Sequence, residues 1–560
     1  MRSRHSLRGG IQPPSAKDRS TRGPIREPPL PPLLILPLNG ARPLVAAGDR
    51  VGKGQVLAAG PELPVHASTS GRILGIEERS VAARSRGPCL LLEPDGEDRW
   101  AEAPHPRDPE SLDPARLRGA VAAAGIAGLG GGGFPTARKL AAGGIHTLVV
   151  NGMECEPYVT ADDLLMRAEA ATIVAGARWA ARMLGHPERI LVGIEDDKPE
   201  AIAAMSGAAR GTGIEVVALP TRYPSGGERQ LIALLTGAQV PAGGLPQDIG
   251  VLCLNVATLH ALARALGHGE PLLARVITVS GGACPDPANY RALLGTPLAH
   301  LLAASGCRPR DCAGLVLGGA LMGERLDDPQ TPVARTSHCL LGLSPAELPP
   351  APPQPCIRCG LCAQACPVAL LPQQLHRHAL AGNERELARH HLFDCIECGA
   401  CNYVCPSAIP LAGQFRSAKA LLRTRDAERR RADRDRDRFA AHRARILAQA
   451  RARSEPGASA AAATPPAAPA RTAADLAALA MARAATPEAT RPQALERAAQ
   501  AAADRLRRLE AQRDALPPDV SATQRDRLSA RIEQARLDLR QAERQLAAAR
   551  PDSTDAGNEA

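Results

Sequence analysis

The rhythm of hydrophobic and polar positions changes several times along this chain, and each change marks a different unit. Residues 1–32 are rich in Pro, Arg and Ser without periodicity, as expected of an extended arm laid on the surface. From 33 to 115, short β-type runs (44–46, 56–58, 65–70 and 71–74) alternate with glycine turns such as Gly48, Gly52 and Gly54, the spacing of a small β-sandwich or flattened barrel. Residues 116–268 alternate apolar strand segments (146–150, 189–194, 215–219) with an alanine-rich helical stretch at 163–184, which predicts an α/β layer with parallel strands. Residues 269–345 carry strands at "RVITVSG" and "GLVLGG" around a helical "GTPLAHLLAASG", a small α+β unit. Within 350–425, "LLPQQLHRHAL" and "ERELARHHLF" read as helices between two cysteine runs. Residues 426–492 begin as a basic helix and become an Ala/Pro-rich linker that cannot bury a core. In 493–550 apolar residues recur at steps of four and three: Leu495, Ala499, Ala502, Leu506, Leu509 and Leu516, then Leu528, Ile532, Ala535, Leu539, Ala542 and Leu546. Two heptad helices joined by a turn at Pro517 and Pro518 predict a coiled-coil helical hairpin.

At 560 residues the chain exceeds a single core and divides into modules. No apolar stretch approaches the roughly 18 to 20 residues that cross a bilayer. Residues 1–10 hold three arginines and no apolar secretory segment, so reduced thiols on the cytoplasmic side are expected. The positive charge is localised: residues 416–445 hold twelve Lys/Arg against five Asp/Glu, a surplus of seven in a chain of formal net charge +10. Such a segment suits acidic lipid headgroups or an acidic partner, and reads equally well as a solvated helix laced with Arg–Asp pairs. No nucleic-acid partner is expected.

Eight of the fifteen cysteines fall in two runs of one spelling, Cys356, Cys359, Cys362 and Cys366, then Cys395, Cys398, Cys401 and Cys405, each followed by proline. C-x2-C-x2-C-x3-C-P is the ligand pattern of two-cluster iron–sulfur proteins, in which three thiolates wrap one cubane and the fourth reaches the other. Two [4Fe–4S] clusters follow. On the crossed arrangement Cys356, Cys359, Cys362 and Cys405 hold one, and Cys366, Cys395, Cys398 and Cys401 the second. The competing readings are zinc, which favours two separated pairs, and disulfides, which need an oxidising compartment. Cys89, Cys155, Cys253, Cys284, Cys307, Cys312 and Cys339 lack ligand spacing and are expected mostly as small core residues.

A second chemical feature is the loop Gly128-Leu129-Gly130-Gly131-Gly132-Gly133-Phe134-Pro135-Thr136, with Lys139 beyond it. A glycine run lets the backbone approach a phosphate and present N–H groups to it. A flexible turn explains such a run as well. Three polar stretches follow in order: Asn151 to Pro157, Tyr223 to Glu228, and Asn255 to Thr258. Polar groups just after strands collect at the carboxyl edge of a parallel sheet, where α/β folds bind nucleotides.

These stretches resemble the FMN- and NADH-binding subunit of respiratory complex I, whose pattern is a G-x-G-G-x-G-F-P-T-x-x-K loop, N-x-x-E-x-E-P, a Gly-Glu turn and N-V-x-T. Together with the cysteine runs, residues 8–420 resemble the C subunit of the Rnf/Rsx ion-translocating electron-transport complex, on "RGGIQPP", "NGMECEPYVTADDLLM", "YPSGGERQLI", "NVATLHAL" and "DCIECGACNYVCPSAIPL". The resemblance implies a flavin phosphate at Gly130, Gly131, Gly133 and Lys139. It implies isoalloxazine and nicotinamide near Asn151, Glu154, Glu156, Tyr223, Gly227, Glu228, Asn255 and Thr258. Three positions depart from the pattern: Gly132 replaces alanine, Gln12 replaces histidine, and Met153 replaces the acidic residue of complex I. In fold, "GDRVGKGQVL" and "VHASTSGRI" resemble a biotinyl/lipoyl-type domain in which Lys53 sits in a turn and plays a structural part. A Rossmann-like α/β domain, a β-grasp (SLBB-like) domain and an α-helical ferredoxin complete the expected multidomain α/β architecture.

The function so implied is electron input, with electrons passing between NADH, FMN and the two clusters. Other subunits of a membrane complex and a ferredoxin-like carrier would be partners, with the chain peripheral on the cytoplasmic side of the inner membrane. Two other readings compete: a soluble flavin iron–sulfur reductase resembling the cobalamin reductase of propanediol-degrading microcompartments, and a flavin-free cluster relay. The extended basic and coiled tail disfavours the first, and Met153 favours the second.

Overall fold

The computed structural model describes residues 7–60, 63–82, 85–105, 108–348 and 352–454, with scattered positions between 500 and 543. The chain divides into two compact units, Met1–Phe439 and Ala440–Ala560.

In the first unit, strands Leu34–Pro37, Ser85–Pro94, Gly71–Ala82 and Arg50–Val51 lie side by side in that order as an antiparallel sheet. Arg42–Pro43, Val56–Ala59 and Val65–His66 form a second sheet. Strand alternation sorts the side chains: Leu34, Leu36, Leu90 and Leu92 turn into a core with Leu57 and Ile73, and Ile35, Cys89 and Leu91 pack on the opposite face. Two expectations shift here. The run 44–46 is not a strand; pairing falls on Arg42–Pro43 and leaves Leu44 58% exposed. The runs 65–70 and 71–74 become the short Val65–His66 and a long hairpin, Gly71–Ala82 with Ser85–Pro94, whose outer half carries Glu77, Glu78 and Arg79 in place of an apolar alternation. Lys53 plays the structural part expected, 2.6 Å from Asp98 and 4.9 Å above the Trp100 ring.

The α/β layer is a four-stranded parallel sheet in the order Ile214–Leu219, Arg189–Glu195, Thr147–Gly152, Val251–Asn255. Alternate residues serve opposite faces. Leu148, Val150, Val192, Ile194, Leu252 and Leu254 pack with helices Ala161–Met183 and Val256–Ala263, and Val149, Val251 and Cys253 with Leu231, Ile232 and Leu234 of helix Glu228–Thr236. Burial on both faces is why Thr147–Gly152, Arg189–Glu195 and Val251–Asn255 read as apolar runs, whereas the edge strand Ile214–Leu219 leaves Glu215 and Ala218 exposed. A mixed five-stranded sheet follows, ordered Ala288–Leu293, Ala274–Ser280, Cys339–Leu343, Gly314–Leu317, Glu324–Arg325, beside helix Leu298–Ala304. The cysteine-bearing region is helical: Leu361–Ala365, Pro372–Leu380, Glu384–Arg389, Ala400–Tyr403 and the start of Leu411–Ser454 surround Leu375, Leu387, Leu392 and Phe415.

The arm expected on the surface is extended but partly inside. Gly10 donates to the Ala365 carbonyl at 2.9 Å, and Ile11 and Tyr223 exchange backbone hydrogen bonds at 2.8 and 3.0 Å. Lys17 is buried, and the Ser20 carbonyl accepts from Asn289 at 3.0 Å. It stitches the α/β sheet, the mixed sheet and the helical region together. The basic stretch after Leu422 is an exposed helix in which Arg429 pairs with Glu384 at 2.6 Å and with Asp426 at 3.4 Å. Of the other cysteines, Cys89, Cys253, Cys284, Cys307 and Cys339 are buried, whereas Cys155 and Cys312 are half-buried.

In the second unit, Leu506, Leu509, Leu528, Ile532 and Ala535 share one apolar cluster, and Arg536 pairs with Glu510 at 2.9 Å. The linker through residue 492, the turn at Pro517 and Pro518, and the heptad positions Leu495, Ala499, Ala502, Leu516, Ala542 and Leu546 lie outside the described residues.

Candidate functional site

The parallel sheet brings two distant asparagines together. Asn151 and Asn255 are register partners at the carboxyl ends of adjacent strands, so chain segments a hundred residues apart open onto one edge. Asn151 donates to the Gly226 carbonyl at 2.9 Å and accepts from the Met153 amide at 3.0 Å, which ties the first polar stretch to the second. Asn255 caps helix Val256–Ala263 by accepting from Ala257 at 2.9 Å and donates to Asp162 at 2.6 Å. Thr258 accepts from the Leu129 amide at 2.9 Å and so anchors the glycine loop against the third stretch.

A cleft of about 930 Å³ opens over this edge. Gly130, Gly131, Lys139, Asn151, Glu154, Glu156, Tyr223, Gly227, Glu228, Asn255 and Thr258 all line it. Gly133 does not: its amide closes the loop on the Gly128 carbonyl at 3.0 Å, in a left-handed conformation at φ +62°. The loop suits a phosphate. A Cβ at Gly131 or Gly132 would meet no atom within 4 Å, so the backbone is open to the cleft there, and Gly131 has φ +101°. Thr136, also in the lining, buries a hydroxyl with no partner among the described residues. Buried polar groups without partners cost stability, and a ligand oxygen would satisfy this one. Lys139 donates to Glu228 at 2.6 Å, so its charge is balanced at the mouth of the cleft.

The carboxylates of the N-x-x-E-x-E-P stretch have separate tasks. Glu154 accepts from the first amides of helix Ala161–Met183, Asp162 at 2.8 Å and Asp163 at 3.1 Å. Burial, and then the neighbouring Asp162 carboxylate, push its pKa up. Glu156 reaches across to the mixed sheet and accepts from Leu321 at 3.1 Å and Met322 at 2.8 Å; burial pushes it up to about 7, against these donors. Met153 is buried with Val149, Leu219 and Leu231. Beneath the cleft, Lys17 lies 3.6 Å from Asp197 and 4.0 Å from Glu195 and donates to the Glu154 carbonyl. Lys198 lies 2.6 Å from Glu195, which also accepts from Ser225 at 3.0 Å. Lys17, Thr136, Asp162, Glu195 and Lys198 were not expected from sequence. Thr136 stands in the F-P-T of the quoted loop and Asp162 in "TADDLLM", but neither those stretches nor the Lys of the arm has a spacing that marks the residue as part of the site.

The two cysteine runs follow one backbone path. Arg358 and Glu397, then Gly360 and Gly399, then Ala369 and Ala408 occupy equivalent left-handed positions. Each run therefore curls its thiols round a hollow. One hollow is lined by Cys356, Cys359, Cys362 and Cys405, the other by Cys366, Cys395, Cys398 and Cys401. Four thiols per hollow, with apolar neighbours such as Ile409 and Phe415, are the donor set and surroundings a cubane takes. Cys398 and Ile396 also line the cleft. Tyr223, 2% exposed, donates to the Cys398 carbonyl and lies 3.4 Å from Glu156. A Cβ on Gly399 would stand 2.5 Å from the Leu321 carbonyl and one on Gly9 2.5 Å from that of Cys366, so both glycines permit close docking of the helical region.

Among the described residues no helix is long and apolar enough to cross a membrane. Comparison with known families matches residues 5–97 to the RnfC barrel sandwich hybrid domain, 121–264 to the Nuo51 FMN-binding domain and 353–409 to a 4Fe-4S dicluster domain. The chain is therefore a mixed α/β multidomain protein with a flavin-binding and a cluster-binding part. The C subunit of the ion-translocating oxidoreductase complex of Pseudomonas aeruginosa is 48% identical over 461 residues, 80% of this chain and 59% of that protein. The Yersinia enterocolitica protein of the same name is 47% identical over 78% of this chain and 65% of its own length. The chain thus spans less than two thirds of the length of these two relatives. That of Yersinia pestis bv. Antiqua is 46% identical over 80% of this chain and 74% of its own. A solved NAD+-reducing [NiFe]-hydrogenase chain aligns at TM-score 0.39 and 20% identity over 55% of this chain and 61% of its own, too distant to bear on the site. With 46% identity over an alignment that spans 74% of the Yersinia pestis protein, and with the three matched domains in order, the chain belongs to the RnfC family, the C subunits of ion-translocating oxidoreductase complexes.

Proposed function

We propose that this chain is the electron-input subunit of a membrane-bound complex, passing electrons between NADH and a ferredoxin-like carrier and working with the subunits that move ions. One observation carries the reading: Cys398 and Ile396 line both the cleft and the second cysteine hollow, so the flavin part and the cluster part share a wall. When bound, FMN takes two electrons together and gives them up singly, and each cluster carries one. The protein's part is to hold and to space. Gly130 and Gly131, with Thr136 and Lys139, receive the flavin phosphate. Asn151, Glu154, Glu156, Tyr223, Gly227, Glu228, Asn255 and Thr258 frame the isoalloxazine and nicotinamide. Cys356, Cys359, Cys362 and Cys405 hold the outer cluster; Cys356 and Cys359 are exposed, which suits exchange with a carrier. Cys366, Cys395, Cys398 and Cys401 hold the inner one.

On this reading the amino-terminal sheets are a biotinyl/lipoyl-type fold, the parallel sheet is Rossmann-like, and the mixed sheet is a β-grasp. The helical region is then an α-helical ferredoxin and the second unit a coiled-coil hairpin, on the cytoplasmic side of the inner membrane. Anaerobically purified protein tests the function. About eight irons, one FMN and bleaching of both chromophores by NADH are expected. Eight irons without flavin or NADH response would leave a cluster relay. Cobalamin-reductase activity in the cytosolic fraction would instead make it a soluble reductase.

A further inference from the structure

The cysteine runs are separated by a helical pair, Pro372–Leu380 and Glu384–Arg389, that carries no cysteine; Pro372, Gln373, Leu375 and His376 line the two hollows, and the residues beyond them turn away. The turn between them passes through Gly382 at φ +61°, and Asn383 caps the second helix by accepting from Glu386 at 3.2 Å. Leu375 and Leu387 fix the inner faces of the pair in the apolar core. Four histidines lie nearby, and the structure sorts them. His376 is engaged by Gln414 at 2.6 Å, and His391 is an exposed residue beside Asp394 at 3.6 Å. His378 and His390 converge instead, their rings stacked with centroids 5.3 Å apart. Glu386, one helical turn before His390, places a carboxylate oxygen 4.0 Å from its Nε2. One ligand atom from each of His378, Glu386 and His390 lies within 4.8 Å of the other two.

We propose that His378, Glu386 and His390 form a divalent metal site of the zinc class, outside both cluster hollows. Two imidazoles bound to one tetrahedral ion at about 2.0–2.1 Å put their ring centres about 5 Å apart, so the 5.3 Å separation suits an ion, and the stacked rings, 18° apart in plane, have to turn edge-on to it. Because buried leucines fix both helices, rotation of the three side chains is what has to bring their ligand atoms together from 4.8 Å. Two nitrogens and one oxygen suit zinc among the common divalent ions, and three protein ligands leave a fourth position for water or a partner's carboxylate. All three residues are half-buried, so an ion can enter from solvent. Arg389, 3.9 Å from the other Glu386 oxygen, is the one competing cation among the described contacts. Bound metal would clamp the two helices that connect the cysteine runs and so stiffen the spacing of the hollows.

The test uses holoprotein with clusters and flavin in place. Parent, H378A/H390A and E386Q are equilibrated with one equivalent of zinc and desalted, and zinc, iron and flavin are counted. X-ray absorption at the zinc edge then reads the ligand shell. About one zinc per chain is expected in the parent, bound by nitrogen and oxygen only, and at least tenfold less in the double variant at equal iron and flavin. No zinc on the parent, equal retention by the variants, or sulfur in the zinc shell would overturn the proposal. Should the double variant lose iron through misfolding, E386Q, which keeps the side chain's shape, decides: reduced zinc at full iron supports the site, and unchanged zinc refutes it.

Discussion

Replacing Lys17 by methionine removes a buried cation from beneath the cleft while keeping the side chain's length. In the parent, Lys17 and Lys198 together balance Glu195, which is fully buried, and Asp197, whose side chain is 28% exposed. Breaking a buried pair costs about 3–5 kcal/mol when a charge is left uncompensated. Lys198 remains 2.6 Å from Glu195 and 2.7 Å from Asp197, which places the loss at the lower end. The missing hydrogen bond to the Glu154 carbonyl adds about 1 kcal/mol, for a total of about 3–4 kcal/mol at pH 7. Urea unfolding followed by Trp179, which sits in helix Ala161–Met183, reads this domain in a W100F background. With a slope of about 2 kcal/mol per molar urea, the midpoint falls by about 1.5–2 M. The effect is pH-dependent. Burial alone would raise the Asp197 carboxyl, but Lys17 and Lys198 outweigh it and hold it below its ordinary value of 3.8. A depressed folded value contributes stability above the unfolded pKa and loses it as pH falls through the folded one. The gap between parent and K17M therefore narrows below about pH 4. A midpoint shift under about 0.3 M, or a gap constant down to pH 3, would refute the argument.

Glu156→Gln should flatten a different profile. Its folded value of about 7 exceeds its ordinary 4.5, so its contribution to docking the mixed sheet is full below about pH 4.5 and is lost as pH rises through 7, and amide exchange at Leu321 and Met322 measures it. Cys366→Ser should deplete the same cluster as Cys395→Ser, and Cys405→Ser the same as Cys356→Ser, by electron paramagnetic resonance; loss of one signal from both Cys366→Ser and Cys356→Ser would overturn the crossed arrangement. Thr136→Val removes a hydroxyl that has no partner among the described residues, so FMN should bind about tenfold more weakly, or about 1–1.5 kcal/mol, with the flavin-free protein no less stable; unchanged affinity by fluorescence titration would take Thr136 out of the phosphate cradle.

Much of the chemistry was legible in local spacing. A cubane needs thiols at short fixed intervals, and a phosphate needs consecutive amides without Cβ atoms, so the cysteine runs and the glycine loop declare themselves. Three of the four parallel strands were equally plain as apolar runs, and their expected ends lie within two residues of those observed; the fourth, Val251–Asn255, was read only through the polar stretch that follows it. The long hairpin was less plain, since its outer half faces water and carries charges that mimic a loop.

What the sequence by itself determined is thus the set of donors and their local order: eight thiolates in two runs, a glycine loop, and polar stretches after strands. Only the tertiary structure decided which of them meet. Strand register set Asn151 beside Asn255, the arm carried Lys17 under the cleft, and Tyr223 and Gly399 brought Cys398 to the wall of the cleft. The reason is physical: ligand spacing is a property of a few adjacent residues, whereas contacts between segments are fixed by how whole sheets and helices bury their apolar faces, a choice no short stretch of sequence records.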